Sequence, residues 1–370
     1  MKIKIFFITL FIFCAIIFYF HARIVGSAVW GDGIYYYNYV RALVVDHGFT
    51  RAAFSENKYS FGSSLFWLIP FYLVHIISRG NGYELIYQLI TGWTSVGFGI
   101  LGLYICFKIL TYYFDGWISF ISVIGLYFSS NLFFYTAVDP INSHAVSFFT
   151  SSTFVYLFLK YFTSGKGKKQ TFISLILGLI TGLLVLIRNQ DIIFALPVIV
   201  YFIFQKKYKQ IVLYITGVGV MLIPQFILWY RVYGQLNSPY LMRGEKFYLF
   251  SPHFLDVLIS SNNGLIYTTP IILFCLFGLF LFRIKKNMNN TIYYSGLALF
   301  TLQTFIIGSW QYWNGGEAYG GRMFISLMPF FMAGLAGVIF LFKKRSFQLL
   351  FISFFALTNS LNILSFLFLH

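Results

Sequence analysis

Apolar runs about as long as a bilayer is thick recur along the whole chain, and this repetition limits the folds open to it. A membrane-spanning helix needs about 20 mostly apolar residues, and runs of this kind extend from residue 4 to residue 369. Hydrophobic residues make up 59% of the chain and charged residues only 10%, so too few polar side chains remain to cover a water-soluble globule. We predict an all-α polytopic membrane protein with one transmembrane domain over residues 1–370 and no soluble domain.

The apolar runs predict eleven transmembrane helices. These runs are 4–24, 85–108, 117–136, 143–163, 171–188, 190–205, 209–230, 264–283, 292–310, 323–342 and 347–369. A twelfth run, 61–78, is ambiguous. If it spanned the membrane with the N-terminus inside, four basic clusters would lie outside, against the positive-inside rule. They are 160–169, 206–209, 283–286 and 343–345. We expect 61–78 to be an interfacial or re-entrant helix, the alternative being a true span.

Charged residues are divided unequally between the two sides in this topology. Of the 26 lysines and arginines, 16 fall in the cytoplasm, whereas nine of the ten acidic residues fall outside, many of them in the long loops 25–60 and 231–263. Acidic residues contribute little to orientation, so an extracytoplasmic catalytic or binding surface explains their position; the alternative is that outer loops simply have an ordinary composition. We predict a multi-pass protein of the cytoplasmic (inner) membrane with a cytoplasmic N-terminus. The net charge of +16 is explained by orientation signals, not by a nucleic-acid partner.

The first outer loop contains a candidate general base. Asp32 lies between two glycines, which permit a tight turn and leave the carboxylate uncovered. A carboxylate at the edge of apolar material suits proton abstraction from a substrate. The alternative is a turn aspartate beside an interfacial belt of tyrosines. Arg41 follows in the same loop.

Other candidate residues lie between later spans. Asp139 and His144 lie between the third and fourth spans, and Arg188 and Asp191 occupy a turn between two apolar helices. Ionisable residues at membrane depth are costly and tend to be functional. In the alternative interpretation, Arg188 and Asp191 mainly pair with each other and His144 is structural.

A glycine-rich loop precedes the tenth span. The segment Trp313–Arg322 contains two glycine pairs that allow close approach of the backbone to a ligand, and Arg322 lies beside a helix N-terminus, where phosphate binds well. The alternative is a flexible loop at the membrane interface. No cofactor or metal is expected, because the chain has no His-Glu-x-x-His or Asp-x-Asp motif and its three cysteines lie far apart in apolar runs.

The order of these motifs resembles that of bacterial GT-C membrane glycosyltransferases, which include protein O-mannosyltransferases and lipid A aminoarabinose transferases. The segments that carry the resemblance are Gly31-Asp32-Gly33 with Tyr36 and Arg41, Phe61–Pro70, Tyr135–His144, Arg188–Asp191, Asn263–Pro270 and Trp313–Arg322. One departure is that Gly33 stands where many such enzymes have a glutamate.

The resemblance implies an inverting transfer of sugar from polyprenyl phosphate to an extracytoplasmic glycan, lipid or protein. Asp32 would be the general base, and Arg188 and Arg322 would bind the phosphate. The further candidate substrate-binding residues are Arg41, Asp139, His144, Asp191, Glu317 and Tyr319. The competing function is a transporter or flippase of lipid-linked sugars. It is less favoured because the halves of the chain show no inverted repeat.

Overall fold

The computed structural model describes residues 2–50, 54, 56–163, 168–284 and 290–369. Residues 164–167 and 285–289, which include parts of two basic clusters, lie outside the described residues. The described chain is all-helical, with an isolated β-bridge between Phe247 and Trp310.

The helices follow one another closely along the chain. In order they are α1 (Lys2–Val25), α2 (Gly33–Val44), α3 (Gly62–Ser78), α4 (Leu85–Leu110), α5 (Gly116–Phe128), α6 (Asn131–Ala137), α7 (His144–Thr163), α8 (Lys168–Ile187), α9 (Ala195–Phe204), α10 (Tyr208–Tyr233), α11 (Pro239–Met242), α12 (Phe254–Ile259), α13 (Leu265–Thr268), α14 (Ile271–Ile284), α15 (Asn290–Ser309), α16 (Met328–Leu341) and α17 (Arg345–Leu369). Short 3₁₀ helices cover Asn189–Phe194 and Arg322–Leu327.

Seven helices among the described residues are long and apolar enough to cross a membrane. They are α1, α4, α8, α10, α15, α16 with its preceding 3₁₀ turn, and α17. Each coincides with one of the predicted apolar runs, and the fold is consistent with a polytopic helical membrane protein. The count of eleven spans is not confirmed.

Of the other four predicted runs, 143–163 forms the continuous 20-residue α7, which is not among the seven candidate spans, and three are shorter or interrupted helices. The run 117–136 forms α5 and α6, which are bent by 75° at Ser129 and Ser130 and would make an eighth span if counted as one. The run 264–283 is interrupted before α14, where Pro270 cannot donate a backbone hydrogen bond. The run 190–205 begins with a 3₁₀ turn, so its α-helix is only 10 residues long.

The described residues group into two compact units. The first unit consists of Met1–Leu101 and Tyr135–Glu245, and the second of Gly102–Phe134 and Lys246–His370. In the first unit, α8 packs closely along α10. A Cβ atom on Gly217 of α10 would lie only 2.6 Å from the Leu175 carbonyl oxygen of α8. Glycine therefore permits this contact between two candidate spans.

Two further glycines fix the starts of α2 and α3 in the first unit. A Cβ atom on Gly33 would collide with the Ile141 carbonyl oxygen, and one on Gly62 would collide with the Leu186 carbonyl group. Helix α2 therefore begins against the segment before α7, and α3 begins against the end of α8. The residues just before these two helices include Asp32 and Tyr59.

In the second unit, α14 packs on α16, and α17 stabilises the bend between α5 and α6. The Asn359 side-chain amide donates to the carbonyl oxygens of Phe128 and Ser130, at 2.9 and 3.0 Å. A break in a membrane helix leaves backbone carbonyls that need donors from elsewhere in the protein. Asn359 supplies them.

Candidate functional site

The carboxylate of Asp32 is bound by a tyrosine of the same loop. Tyr59 Oη donates a hydrogen bond to Asp32 Oδ1 at 2.7 Å. The Tyr59 backbone is itself fixed, because its carbonyl oxygen accepts from Tyr39 Oη at 2.8 Å and its amide donates to Asn57 Oδ1 at 3.0 Å. The geometry orients the Asp32 carboxylate relative to α2.

Tyr59 keeps its proton in this environment. Burial raises the pKa of its hydroxyl above the usual value, and the negative charge of Asp32 raises that pKa further. A protonated hydroxyl can donate to the carboxylate over the whole physiological pH range. Sequence reasoning did not identify Tyr59, which is 27 residues from Asp32.

Tyr240 packs beside this pair. Its ring lies at 6.1 Å from the ring of Tyr59, edge to face. Burial raises the pKa of the Tyr240 hydroxyl, and the charges of Asp32 and Glu245 raise it as well, whereas the positive charge of Arg188 lowers it. The charges of Asp32 and Arg188 therefore both act on the same hydroxyl group.

An ion pair joins the segment of Tyr59 to the segment of Tyr240. Lys58 Nζ lies 2.8 Å from Glu245 Oε1, and the Glu245 side chain is only 6% exposed. The same ammonium group lies 5.8 Å from the ring centre of Tyr59 and 5.3 Å from that of Tyr240, within the range of cation–π attraction. Sequence reasoning did not identify this pair as part of a site, and the two residues are 187 positions apart.

Arg188 is held at the end of α8 by polar groups that precede and begin α7. Its guanidinium donates to His144 Nδ1 at 2.7 Å and to Ser143 Oγ at 3.3 Å. The His144 ring also contacts the ring of Tyr135, with centres 4.3 Å apart. An imidazole nitrogen accepts only when it carries no proton, so Nδ1 of His144 is unprotonated in this bond. The predicted residues Arg188 and His144 are thus brought together.

Two predicted carboxylates are buried in the same unit. Asp191 accepts from Ser147 Oγ at 3.1 Å, and Asp139 accepts from Asn142 Nδ2 at 3.3 Å. The alternative in which Arg188 mainly pairs with Asp191 does not describe the Arg188 side chain, which is directed to His144.

Arg41 lies at the other end of α2 from Asp32, about 13 Å away along the helix axis. Its guanidinium pairs with Asp46 Oδ2 at 2.7 Å and covers the ring of Tyr83 at 4.3 Å from the ring centre. Its Nε donates to the Asn81 carbonyl oxygen at 2.9 Å. These contacts connect α2 to the segment before α4, and substrate binding by Arg41 stays a prediction.

The remaining predicted residues belong to the glycine-rich loop of the second unit. Glu317 is exposed, whereas Tyr319 is buried and its Oη donates to Asn359 Oδ1 at 2.8 Å. Arg322 Nη2 donates to the Gly315 carbonyl oxygen at 3.2 Å. Asn263 Nδ2 donates to the Gly316 carbonyl oxygen at 2.9 Å. The loop is therefore fixed by side chains, and its role in binding substrate stays a prediction.

Metal ligands are not clustered in the described part of the chain. Among those residues, no group of three or more histidine, cysteine, aspartate or glutamate side chains could hold a metal ion.

Comparisons with protein-family models, with curated proteins and with solved structures gave no match.

Proposed function

We propose that the protein is a GT-C-like membrane glycosyltransferase that moves a sugar from polyprenyl phosphate to an extracytoplasmic acceptor with inversion. The observation that carries this proposal is a carboxylate, Asp32, held by the Tyr59 hydroxyl at 2.7 Å, together with a guanidinium, Arg188, held by His144 and Ser143. A base and a cation for a phosphate are the two groups that such a transfer needs. Both belong to the first unit, among tyrosine rings suited to contact a sugar.

The proposed reaction is a single displacement at the anomeric carbon of the donor sugar. An acceptor hydroxyl or amine attacks this carbon while Asp32 takes its proton. The bond between the anomeric carbon and the phosphate oxygen breaks, and the polyprenyl phosphate leaves with the bonding electrons. Inversion follows because attack and departure occur on opposite sides of one carbon.

Arg188 is proposed to stabilise the leaving phosphate. Negative charge grows on the phosphate oxygen as the bond breaks, and a preorganised cation close to that oxygen lowers the barrier. The bonds from Arg188 to His144 and Ser143 support this role, because they are made to neutral groups and fix the guanidinium without neutralising its charge. Asp139, Asp191 and His144 are proposed to position the sugar.

The proposed topology keeps eleven spans, with the N-terminus in the cytoplasm and α3 in the interface or re-entrant. Helix α3 has 17 residues and is therefore about 26 Å long, shorter than a hydrocarbon core of about 30 Å. Ile69 and Ile77 are exposed, whereas Trp67 and Phe71 are buried against protein. These features support a helix that contacts lipid on one side only.

The proposal is tested by the consumption of radiolabelled polyprenyl-phosphate sugars in membranes containing the wild type or Asp32→Asn at equal expression. Loss of a general base costs about 10²- to 10⁴-fold in rate, and we expect a loss of this size with donor binding retained. Glu56→Gln is the matched control, because Glu56 is an exposed carboxylate of the same loop, and it should leave turnover unchanged.

A different result would favour the transporter. If the wild type consumes no donor but moves it across sealed vesicles, and Asp32→Asn moves it equally well, the transferase is ruled out and a flippase replaces it.

A further inference from the structure

Residues 247–259 of the second unit present large apolar side chains to the surroundings. Phe250 is fully exposed, Leu255 is 67% exposed and Ile259 is 60% exposed. Leu255 and Ile259 are four residues apart in α12 and therefore lie on one face of that helix. Phe247, Tyr248 and Leu249 are exposed as well. A contiguous apolar surface of this kind marks contact with a partner or a membrane.

This segment is attached to the last turn of a candidate membrane span. The Tyr248 amide donates to the Ser309 carbonyl oxygen at 2.6 Å, and the His253 amide donates to the Gly308 carbonyl oxygen at 2.8 Å. Ser309 is the last residue of α15. A Cβ atom on Gly308 would lie 3.1 Å from the His253 backbone carbon, so the two backbones are in close contact. The segment therefore packs against the end of this candidate span.

The ionisable side chains of the segment pair with each other. His253 Nδ1 lies 2.9 Å from Asp256 Oδ2, so these two residues satisfy each other. The His253 ring stacks on Trp313, with ring centres 5.4 Å apart and planes at 20°. From Phe247 to Pro252 the sequence contains no charged residue. The segment therefore combines exposed apolar and aromatic side chains with a polar pair, a mixture that suits the membrane interface.

We propose that residues 247–259 lie in the lipid headgroup region, with Phe250, Leu255 and Ile259 inserted towards the acyl chains. Lipid is favoured over a protein partner because the exposed surface is continuous with the end of a span, and because aromatic residues suit the headgroup level. The glycine-rich loop is tied to this segment through Trp313 and through paired hydrogen bonds between Lys246 and Gln311. The loop is thereby held at headgroup depth, where it meets ligands that arrive within the membrane plane.

The test uses nitroxide labels on single cysteines in the full chain reconstituted into phosphatidylcholine–phosphatidylglycerol vesicles. Phe250→Cys and Leu255→Cys report on the segment. Asn262→Cys, in the exposed turn that follows, is the aqueous reference, and Leu357→Cys, an exposed position near the middle of α17, is the lipid reference. Wild type is the blank, because Cys14, Cys106 and Cys275 are buried. Relaxation by oxygen and by a water-soluble nickel chelate gives the depth of each label.

At positions 250 and 255 we expect more relaxation by oxygen than by the nickel chelate, at a depth between those of the two references. Nickel accessibility equal to that at position 262 would overturn the proposal, because the segment would then lie in water. Protection from both reagents would overturn it too, since a protein surface would then cover the segment. Phe250→Ser is expected to leave the fold intact and to increase nickel accessibility of a label at position 255, and no change there would also contradict the proposal.

Discussion

At the scale of single residues, the hydroxyl of Tyr59 is the contact that fixes the proposed base. A hydrogen bond to a charged group contributes about 1.5–3 kcal/mol, equivalent to about 10- to 100-fold in rate. If Asp32 needs this bond to face the acceptor, Tyr59→Phe lowers kcat by about that factor while the donor KM changes little. Steady-state kinetics with a polyprenyl-phosphate sugar measures both constants.

Tyr35→Phe is the matched control for this prediction. The Tyr35 ring also contacts the Tyr59 ring, with centres 5.4 Å apart, but its hydroxyl does not bind Asp32. Equal losses of kcat in the two variants would show that the effect comes from loosened aromatic packing and would contradict the positioning role of Tyr59.

The raised pKa of Tyr59 also predicts how its contribution to stability changes with pH. The folded protein keeps the Tyr59 proton where the unfolded chain, with the usual value near 10, loses it. The stabilisation from Tyr59 is therefore complete below about pH 10 and falls by up to about 1.4 kcal/mol per pH unit above it. Thermal unfolding is measured in detergent at about pH 8.5 and 10.5. The difference in melting temperature between wild type and Tyr59→Phe should be smaller at the higher pH. A larger difference in melting temperature at the higher pH would contradict the raised pKa of Tyr59.

Residue contacts of this kind could be predicted from the sequence only in part. Asp32, Arg188 and His144 were identified because each is a polar residue at the end of an apolar run. Their partners were not, because Tyr59 and the pair of Lys58 with Glu245 belong to segments that approach each other only after the helices pack. No local pattern encodes a contact between residues 187 positions apart.

At the scale of helices, two glycines of α10 predict opposite effects of the same substitution. A Cβ on Gly217 would lie 2.6 to 3.0 Å from backbone atoms of α8, whereas a Cβ on Gly219 meets nothing within 4 Å. Gly217→Ala should destabilise the protein by about 1–3 kcal/mol. Gly219→Ala should be neutral or stabilise it by up to about 1 kcal/mol. Melting temperatures in the same detergent compare the two, and similar values would show that α8 and α10 do not touch at this point.

The helices show what the apolar pattern can and cannot predict. Hydrophobicity over about 20 residues located the seven long helices, because length and an apolar surface are the properties that define such helices. It did not locate the bend at Ser129 and Ser130, or the late start of α14 after Pro270. An average over about 20 residues hides the effect of a single residue. An interruption in a helix depends on one missing backbone donor, or on a partner such as Asn359 that lies far away in the sequence.

At the scale of the whole molecule, labelling of single cysteines decides the topology. In the proposed arrangement Arg79, exposed at the end of α3, is extracytoplasmic, and Lys344, exposed before α17, is cytoplasmic. A membrane-impermeant maleimide should therefore modify Arg79→Cys in intact cells and Lys344→Cys only after permeabilisation. Reaction of Lys344→Cys in intact cells, with Arg79→Cys reacting only after permeabilisation, would show that α3 crosses the membrane.

The hydrogen bonds from Asn359 to the bend between α5 and α6 can form only late in the synthesis of the chain. The carbonyl oxygen of Phe128 is synthesised 231 residues before the amide that binds it, a delay of about 10–50 s at cellular rates of translation. During that interval the bend must be tolerated by the insertion machinery, by water or by a chaperone. A nascent chain that stops short of Asn359 leaves the carbonyl oxygens of Phe128 and Ser130 without this donor.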